Sequence, residues 1–189
     1  MISKTISPKK DRRIVLVCGI PGFLKTIYSN WLAQQKGFNH LDFDELLSGR
    51  GSPRQLELIG LLNTSPKGFV HKLSRRGRTV IDWGFPPVNI ALVRALQERG
   101  ISVWWFDGDR EAALQSFTAR GTVSLDAFRI QMDAIEEAWN QIKEIIGNRI
   151  INAVTAGPTY LASEKIFVEM YAAELGRHTG LQQIVPSLS

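Results

Sequence analysis

A glycine and a lysine–threonine pair stand at the spacing of a phosphate-binding loop. The segment VLVCGIPGFLKTIYSNW, residues 15–31, runs from an apolar stretch into Gly19, and Lys25 and Thr26 follow six and seven residues later. In such a loop, backbone N–H groups and the first turn of a helix bind phosphate oxygens. The lysine reaches the β and γ phosphates of a nucleoside triphosphate, and the threonine hydroxyl ligates Mg²⁺. The spacing therefore predicts that ATP and Mg²⁺ bind here.

One position of this loop departs from the motif. The residues expected to hold the nucleotide are Gly19, Ile20, Pro21, Gly22, Phe23, Leu24, Lys25 and Thr26. The motif has glycine immediately before the lysine, whereas this chain has Leu24. Glycine lets the backbone approach the phosphate and adopt torsions that a Cβ resists. The leucine side chain must therefore point away from the phosphate or block it.

Short apolar strands alternate with amphipathic helices around this loop, which is typical of a parallel sheet. The predicted strands are residues 13–18, 38–43, 78–85, 101–107 and 149–157, and the predicted helices are 26–37, 65–77, 86–100, 111–119, 124–147 and 159–176. The longest helix carries an apolar stripe that is expected to face the core, formed by Leu125, Phe128, Met132, Ile135, Trp139, Ile142 and Ile146. These elements predict a doubly wound α/β domain with its ligand beyond the carboxyl ends of the strands.

Length and composition indicate a single domain over residues 1–189, with loose ends at about 1–11 and 178–189. Charged residues make up 22% and hydrophobic residues 44%, and no apolar run is long enough for a membrane span, so we expect a cytoplasmic protein with no membrane partner.

The single cysteine, Cys18, ends an apolar strand and is expected to be buried. The basic segment KLSRRGR, residues 72–78, fits either a solvated helix end or a contact with nucleic acid phosphates.

The segment GIPGFLKT, residues 19–26, resembles the loop of the P-loop small-molecule kinases, a group that includes zeta-toxin-like and chloramphenicol-phosphotransferase-like enzymes. Their loop commonly reads GxPGSGKS or GxPGSGKT, and the two segments align without a gap. The resemblance extends from about residue 13 to residue 175. It implies a three-layer fold with a parallel five-stranded sheet in the order 2-3-1-4-5. It also implies an enzyme that uses ATP and Mg²⁺.

The resemblance also implies roles for two aspartates and an arginine. Asp44, in HLDFDELL, corresponds to the acidic residue that contacts the acceptor hydroxyl and acts as base, although an aspartate here also suits a helix N-cap. Asp82, in TVIDWGF, is expected to face the loop and hold Mg²⁺, because an unpaired aspartate at the end of an apolar strand is costly. Arg120 is expected to close over the phosphates from a mobile lid with its tip at residues 120–122.

Two further departures from the group concern arginines. In the group, a pair of arginines four residues apart is frequent near the lid, whereas this chain has Ser116 and Arg120. An arginine often follows the acceptor-site aspartate by three residues, whereas this chain has Leu47.

The leading hypothesis is a phosphotransferase that moves the γ phosphate of ATP to a hydroxyl of an unidentified small molecule. The alternative is a lapsed kinase that acts as a nucleotide-binding regulator or partner protein. A third reading, supported by the basic segment, is a polynucleotide-end kinase.

Overall fold

A parallel sheet forms the centre of the fold. The computed structural model describes residues 13–85, 87–119, 124–155 and 159–178. The strands are β1 (Ile14–Gly19), β2 (Asn39–Asp42), β3 (Thr79–Asp82), β4 (Ser102–Gly108), β5 (Ile150–Thr155) and β6 (Thr159–Tyr160). Their order is β2-β3-β1-β4-β5-β6, with the first five parallel and β6 antiparallel to β5. The predicted five-stranded parallel sheet in the order 2-3-1-4-5 is confirmed, and β6 adds an edge that the sequence did not indicate.

Helices cover both faces of this sheet. They are α1 (Lys25–Lys36), α2 (Phe43–Leu47), α3 (Pro53–Thr64), α4 (Pro66–Ser74), α5 (Ile90–Gln97), α6 (Arg110–Ala119), α7 (Leu125–Glu137), α8 (Trp139–Ile146) and α9 (Ser163–His178), with a 3₁₀ turn at Pro87–Asn89. On one face α1 contacts α9 through Tyr28 and Met170. On the other face α5 contacts α8 through an ion pair between Arg94 and Glu144. Among the described residues, no helix has the length and apolar character required to cross a bilayer.

The carboxyl ends of three neighbouring strands lie side by side. All six residues of β1 are buried, as expected for a central strand covered on both faces. Val17 of β1 is in register with Asp82 of β3, and Asp82 is in register with Asp42 of β2. The chain that leaves β1 therefore lies beside Asp82 and beside the start of α2.

Several predicted element boundaries were wrong. The strand predicted over 78–85 ends at Asp82, and the helix predicted over 86–100 is Ile90–Gln97. The helix predicted over 124–147 is two helices separated at Ala138, which lets α7 pack on α6, with the rings of Phe128 and Phe117 5.1 Å apart, while α8 packs on α5 and β4. The last helix begins at Ser163 rather than at 159, because Thr159 and Tyr160 pair with β5. The predicted helix 65–77 ends at Ser74.

Helix α3, Pro53–Thr64, was not predicted. Pro53 occupies its first turn, and the Ser52 N–H donates to Oε1 of Gln55 at 3.0 Å. This is the serine-x-x-glutamine start of a helix, and the sequence contains it. The loose end predicted at 1–11 and the lid tip at 120–122 lie outside the described residues. Of the loose end predicted at 178–189, His178 is the last residue of α9 and the rest lies outside the described residues.

Candidate active site

The loop between β1 and α1, residues 19–26, is fixed by two glycines. Gly19 has φ +136° and Gly22 has φ +93°, a region that side chains disfavour. A Cβ at Gly19 would collide with the carbonyl oxygen of Phe106, and a Cβ at Gly22 would lie 2.6 Å from the carbonyl oxygen of Ala113. Both glycines are therefore required by the close approach of β4 and α6. We call residues 19–26 the phosphate loop.

Leu24 adopts the left-handed conformation that its position demands. Its φ is 37° and its ψ is 10°, and it caps the start of α1. This conformation is less favourable by roughly 1–2 kcal/mol for a residue with a Cβ. The loop thus turns tightly into α1 although Leu24 carries a side chain.

Lys25 folds back over the phosphate loop. Its Nζ donates to the carbonyl oxygens of Gly19 at 3.2 Å and Ile20 at 2.9 Å, and the residue is buried. The first turn of α1 contains no acidic residue. A buried cation at the positive end of a helix dipole is the reverse of the usual arrangement, so this end of α1 favours an anionic ligand.

The phosphate loop borders a cavity of about 320 Å³, which we call the loop cavity. Its lining residues are Pro21, Gly22, Phe23, Leu24, Lys25, Thr26, Ile27, Asp44, Asp82, Gly84 and Gln131. Thr26 is exposed, whereas Ile20 and Phe23 are fully buried and pack in the core. Gly19 and Ile20, which were predicted to contact the nucleotide, do not line the cavity; their carbonyls hold Lys25 instead. The loop cavity brings together Lys25, Thr26 and both predicted aspartates.

Asp82 is buried at the floor of the loop cavity, with 2% of its surface exposed. Its Oδ2 lies 3.7 Å from Nε2 of His40 and has no hydrogen-bond donor among the residues that the structure describes. Buried carboxylate oxygens in folded proteins normally have a donor or a cation. The donor set of Asp82 and Thr26 on one cavity is oxygen-only, which is the chemistry that Mg²⁺ prefers, so these residues fit the ion.

Asp44 points its carboxylate at the start of the chain segment after β3. Its Oδ2 accepts a hydrogen bond from the Gly84 N–H at 3.1 Å. The alternative that Asp44 caps a helix is wrong, because Asp42 is the cap of α2 and accepts from the Glu45 N–H at 3.0 Å.

The surroundings of Asp44 raise the pKa of its carboxyl above the ordinary value. Although the residue is partly exposed, desolvation of the carboxyl is the largest cause, and the hydrogen bond from Gly84 opposes it. The negative charges of Asp42 and Asp82 raise the pKa further, and the charge of Lys25 lowers it. The carboxyl therefore holds a proton more readily than a solvated aspartate does.

Sequence reasoning missed two polar residues near the phosphate loop. Gln131 of α7 lines the loop cavity, and Oγ of Ser116 on α6 donates to the Gly22 carbonyl at 3.2 Å. From the sequence, Ser116 marks only the place of a missing arginine. No local pattern marks either residue, because both act through helices distant in sequence from the loop.

No arginine is among the described residues that line the loop cavity. Arg120 lies outside the described residues. Arg110 forms an ion pair with Asp107 at 3.5 Å and is not among the described lining residues. Leu47, at the other departure, is 48% exposed on α2.

The basic segment 72–78 lies at the amino ends of the parallel strands, opposite to the phosphate loop. It leads into Thr79, the first residue of β3, whereas Asp82 is the last residue of that strand. Lys72 pairs with Glu57, and Arg78 donates to the carbonyl of Lys36 at 3.1 Å. These side chains are used at the amino end of the sheet, away from the phosphate loop.

Solved structures with this arrangement of elements include small-molecule kinases. A shikimate kinase from Acinetobacter baumannii in complex with shikimate matches with a TM-score of 0.56 at 18% identity, over 90% of this chain and 96% of that chain. A gluconokinase from Sinorhizobium meliloti matches with a TM-score of 0.51 at 13% identity, over 93% of this chain and 99% of that chain. The chain has the P-loop kinase fold. No family model and no curated protein matches it.

Proposed function

We propose that this protein is an ATP-dependent phosphotransferase that moves the γ phosphate to a hydroxyl of a small molecule. The observation that carries the proposal is the meeting of Lys25, Thr26, Asp44 and Asp82 on one cavity at the carboxyl ends of β1, β2 and β3. This is where open α/β sheets bind their ligands. The kinase fold supports the proposal at the level of class.

Lys25 and the start of α1 would bind the phosphates. The ammonium lies over the phosphate loop, and the N–H groups of the first helical turn point out of the helix end. Two carboxylates, Asp44 and Asp82, face the same cavity and would repel a triphosphate on their own. Thr26 and Asp82 would hold Mg²⁺, which supplies charge neutralisation at the phosphates when bound.

Asp44 would orient the acceptor hydroxyl and take its proton. The Gly84 N–H fixes one carboxylate oxygen, and the raised pKa makes the carboxylate a better proton acceptor than a solvated aspartate. By resemblance, Arg120 would stabilise the transferring phosphoryl group. Within the kinases, we propose a relation to the zeta-toxin-like and chloramphenicol-phosphotransferase-like enzymes, which the resemblance of residues 19–26 supports.

A second function is favoured by Leu24. Its Cβ and side chain occupy the position where the motif has none, in a backbone conformation that favours glycine. A protein of this kind would have kept the fold, bind the nucleotide weakly or not at all, and act as a regulator or partner protein.

The first prediction separates these functions by thermal unfolding with ATP or ADP and Mg²⁺. Ligand that binds only the folded state raises the Tm, and we expect ATP with Mg²⁺ to raise it and ATP with EDTA to raise it less. Lys25→Ala should abolish the shift, because the ammonium over the loop is lost. Asp82→Asn should weaken the dependence on Mg²⁺ while the fold persists.

Lys165→Ala is the matched control, since Lys165 is exposed on α9. It should leave the nucleotide-induced shift unchanged. Wild-type protein that shows no shift with any nucleotide would contradict the phosphotransferase and favour the lapsed kinase. An unchanged shift in Lys25→Ala would place the nucleotide elsewhere.

A further inference from the structure

A second cavity, of about 420 Å³, joins the loop cavity beside Asp44. The two share Asp44, Gly84 and Gln131. A ligand in the second cavity would thus present its nearest atoms to the carboxylate of Asp44, with the phosphate loop on the other side. We call it the acceptor cavity.

The walls of the acceptor cavity are mainly apolar. Phe85 and Val88 follow β3, and Ile130, Ala134 and Ile135 lie along α7. Among the described lining residues, Asp44 carries the one ionisable side chain. An anionic acceptor group placed here would be desolvated against apolar walls and a carboxylate, which is unfavourable without a cation.

Large apolar side chains are exposed at the mouths of these two cavities. Val88 is 89% exposed and Ile130 67% exposed at the acceptor cavity, and Ile27 is 58% exposed at the loop cavity. Single exposed apolar residues are ordinary on protein surfaces. Their convergence on one pair of cavities indicates a ligand that covers them.

Phe85 gives the acceptor cavity a preformed aromatic wall. Its φ of 46° is left-handed, which is uncommon for a bulky residue, yet the side chain is buried. Its ring lies 5.9 Å from that of Trp83 and 6.3 Å, edge to face, from that of Trp105. Backbone strain of this kind persists at binding sites when the surrounding packing holds it.

We propose that the acceptor is an uncharged alcohol that carries an aromatic or branched alkyl group. This assignment rests on the proposed phosphotransferase. The apolar group lies against Phe85, Val88 and Ile130, and the hydroxyl lies at Asp44. The hydroxyl oxygen forms a bond to the γ phosphorus of ATP, the bond from that phosphorus to the β–γ bridging oxygen breaks, and ADP leaves with the electron pair. The hydroxyl proton passes to the carboxylate of Asp44.

The experiment measures binding of two matched probes without nucleotide. Biphenyl-4-methanol is the neutral probe, and 4′-(hydroxymethyl)biphenyl-4-carboxylate is its anionic counterpart. Methyl resonances of ¹³C-labelled isoleucine report the site, because Ile130 and Ile135 line the acceptor cavity. We expect both resonances to shift with the neutral probe, at an affinity about tenfold or more above that for the anionic probe.

Ile130→Lys should reverse this preference, because a cation replaces an apolar wall residue. The exposure of Ile130 makes the variant compatible with folding. Val168→Lys is the matched control, since Val168 is 62% exposed on α9 and lines neither cavity. It should leave both affinities unchanged.

The outcomes separate this inference from the proposed function. Equal or tighter binding of the anionic probe, or a neutral probe that shifts neither isoleucine, overturns the acceptor class even if ATP raises the Tm. A neutral probe that binds as expected to a protein that binds no ATP contradicts the phosphotransferase and therefore the acceptor role. Binding by both ligands, with transfer of phosphate to the neutral probe seen by ³¹P NMR, supports both.

Discussion

Leu24 shows how the loop between β1 and α1 holds a residue with a side chain in a left-handed conformation. The residue keeps the left-handed torsions, φ 37° and ψ 10°, and its side chain is half-buried. The neighbouring curve is held by Gly22, which has no room for a Cβ against Ala113. The loop conformation is therefore imposed from outside, and Leu24 carries the strain.

We predict that Leu24→Gly tightens ATP binding about tenfold or more, equivalent to roughly 1.4 kcal/mol. Removing the side chain relieves the left-handed strain and lets the backbone N–H approach the phosphate. The free energy of unfolding should change by at most about 1 kcal/mol, because glycine also costs backbone entropy near a helix start. Isothermal titration calorimetry with ATP and Mg²⁺ gives the affinity, and urea unfolding gives the stability.

Leu24→Ala is the control, because alanine keeps the Cβ and removes the rest of the side chain. It should gain less affinity than the glycine variant. A wild-type protein that binds ATP as tightly as Leu24→Gly would show that Leu24 is accommodated without cost to the nucleotide. Binding by the glycine variant alone would identify a lapsed kinase.

The carboxylate of Asp44 is expected to lower the free energy of unfolding at pH values at which it is charged. Since the pKa is raised in the folded state, the folded protein binds the proton more tightly than the unfolded chain. Stability therefore falls as the pH rises from the ordinary aspartate pKa, about 3.9, through the raised value. Above that window the charged carboxylate is destabilising, and below it the cost disappears.

Asp44→Asn should therefore unfold at a slightly higher Tm than the wild type at pH 7, and the difference should shrink as the pH falls towards about 4. The asparagine oxygen can still accept from the Gly84 N–H, so that hydrogen bond is retained. Thermal unfolding across this pH range measures the effect. Asp133→Asn, on an exposed position of α7, is the control and should give little difference. A wild type more stable than Asp44→Asn at pH 7 would contradict the sign.

Helix α6 fixes the phosphate loop from the side opposite α1. Ser116 donates to the Gly22 carbonyl at 3.2 Å, and the backbone of Ala113 leaves Gly22 no space for a side chain. From the resemblance alone, Ser116 is only the position of a missing arginine. In the structure, its hydroxyl donates a hydrogen bond to the loop.

Ser116→Ala should lower the free energy of unfolding by about 0.5–1.5 kcal/mol and weaken nucleotide binding, because the Gly22 carbonyl loses its contact with α6 and keeps the Leu24 N–H as a donor at 3.3 Å. Thr118→Ala is the matched control on the same helix, since the Thr118 hydroxyl donates to carbonyls within α6. Urea unfolding and nucleotide titration of both variants test the assignment. Equal effects of the two substitutions on nucleotide binding would assign Ser116 to the helix alone.

The elements that the sequence predicted are those with strong local signals. The strand–glycine–helix pattern around Lys25 located β1, the phosphate loop and α1, and the apolar strands located the parallel sheet. The order of strands came from the resemblance, because spacing along the chain does not specify which strands pair. The break at Ala138 had no glycine or proline to mark it, and it follows from the different neighbours of α7 and α8.

The site residues at the ends of strands could be predicted from the sequence. Those on helices that pack over the site could not. Asp44 and Asp82 come directly after or at the end of strands, so their positions followed from the sheet. Gln131 and the acceptor cavity depend on how α7 lies over Asp44 and Gly84, which no local pattern specifies. The distance of 3.7 Å between Asp82 Oδ2 and His40 Nε2 likewise depends on the register of β2 and β3.

At the scale of the whole molecule, Cys18 reports the integrity of the sheet. It lies in the central strand β1, is fully buried, and its thiol donates to the Trp104 carbonyl at 3.3 Å, which confirms the predicted core position. Burial raises the pKa of this thiol to about 12. Because the thiolate is the reactive form, the folded protein presents almost none of it at pH 8.

We predict that Cys18 reacts with 5,5′-dithiobis(2-nitrobenzoate) only after the sheet opens. The labelling rate at pH 8 should be orders of magnitude below that of a free thiol and should rise with urea in step with unfolding. If opening is fast and reversible, ATP with Mg²⁺ should slow labelling by the same factor by which it stabilises the folded state. In a variant that also carries Thr118→Cys, the exposed second thiol should label quickly, with or without nucleotide. Rapid labelling of Cys18 without urea would mean that β1 opens locally, and the phosphate loop at its end would then lack the rigid support that phosphate binding requires.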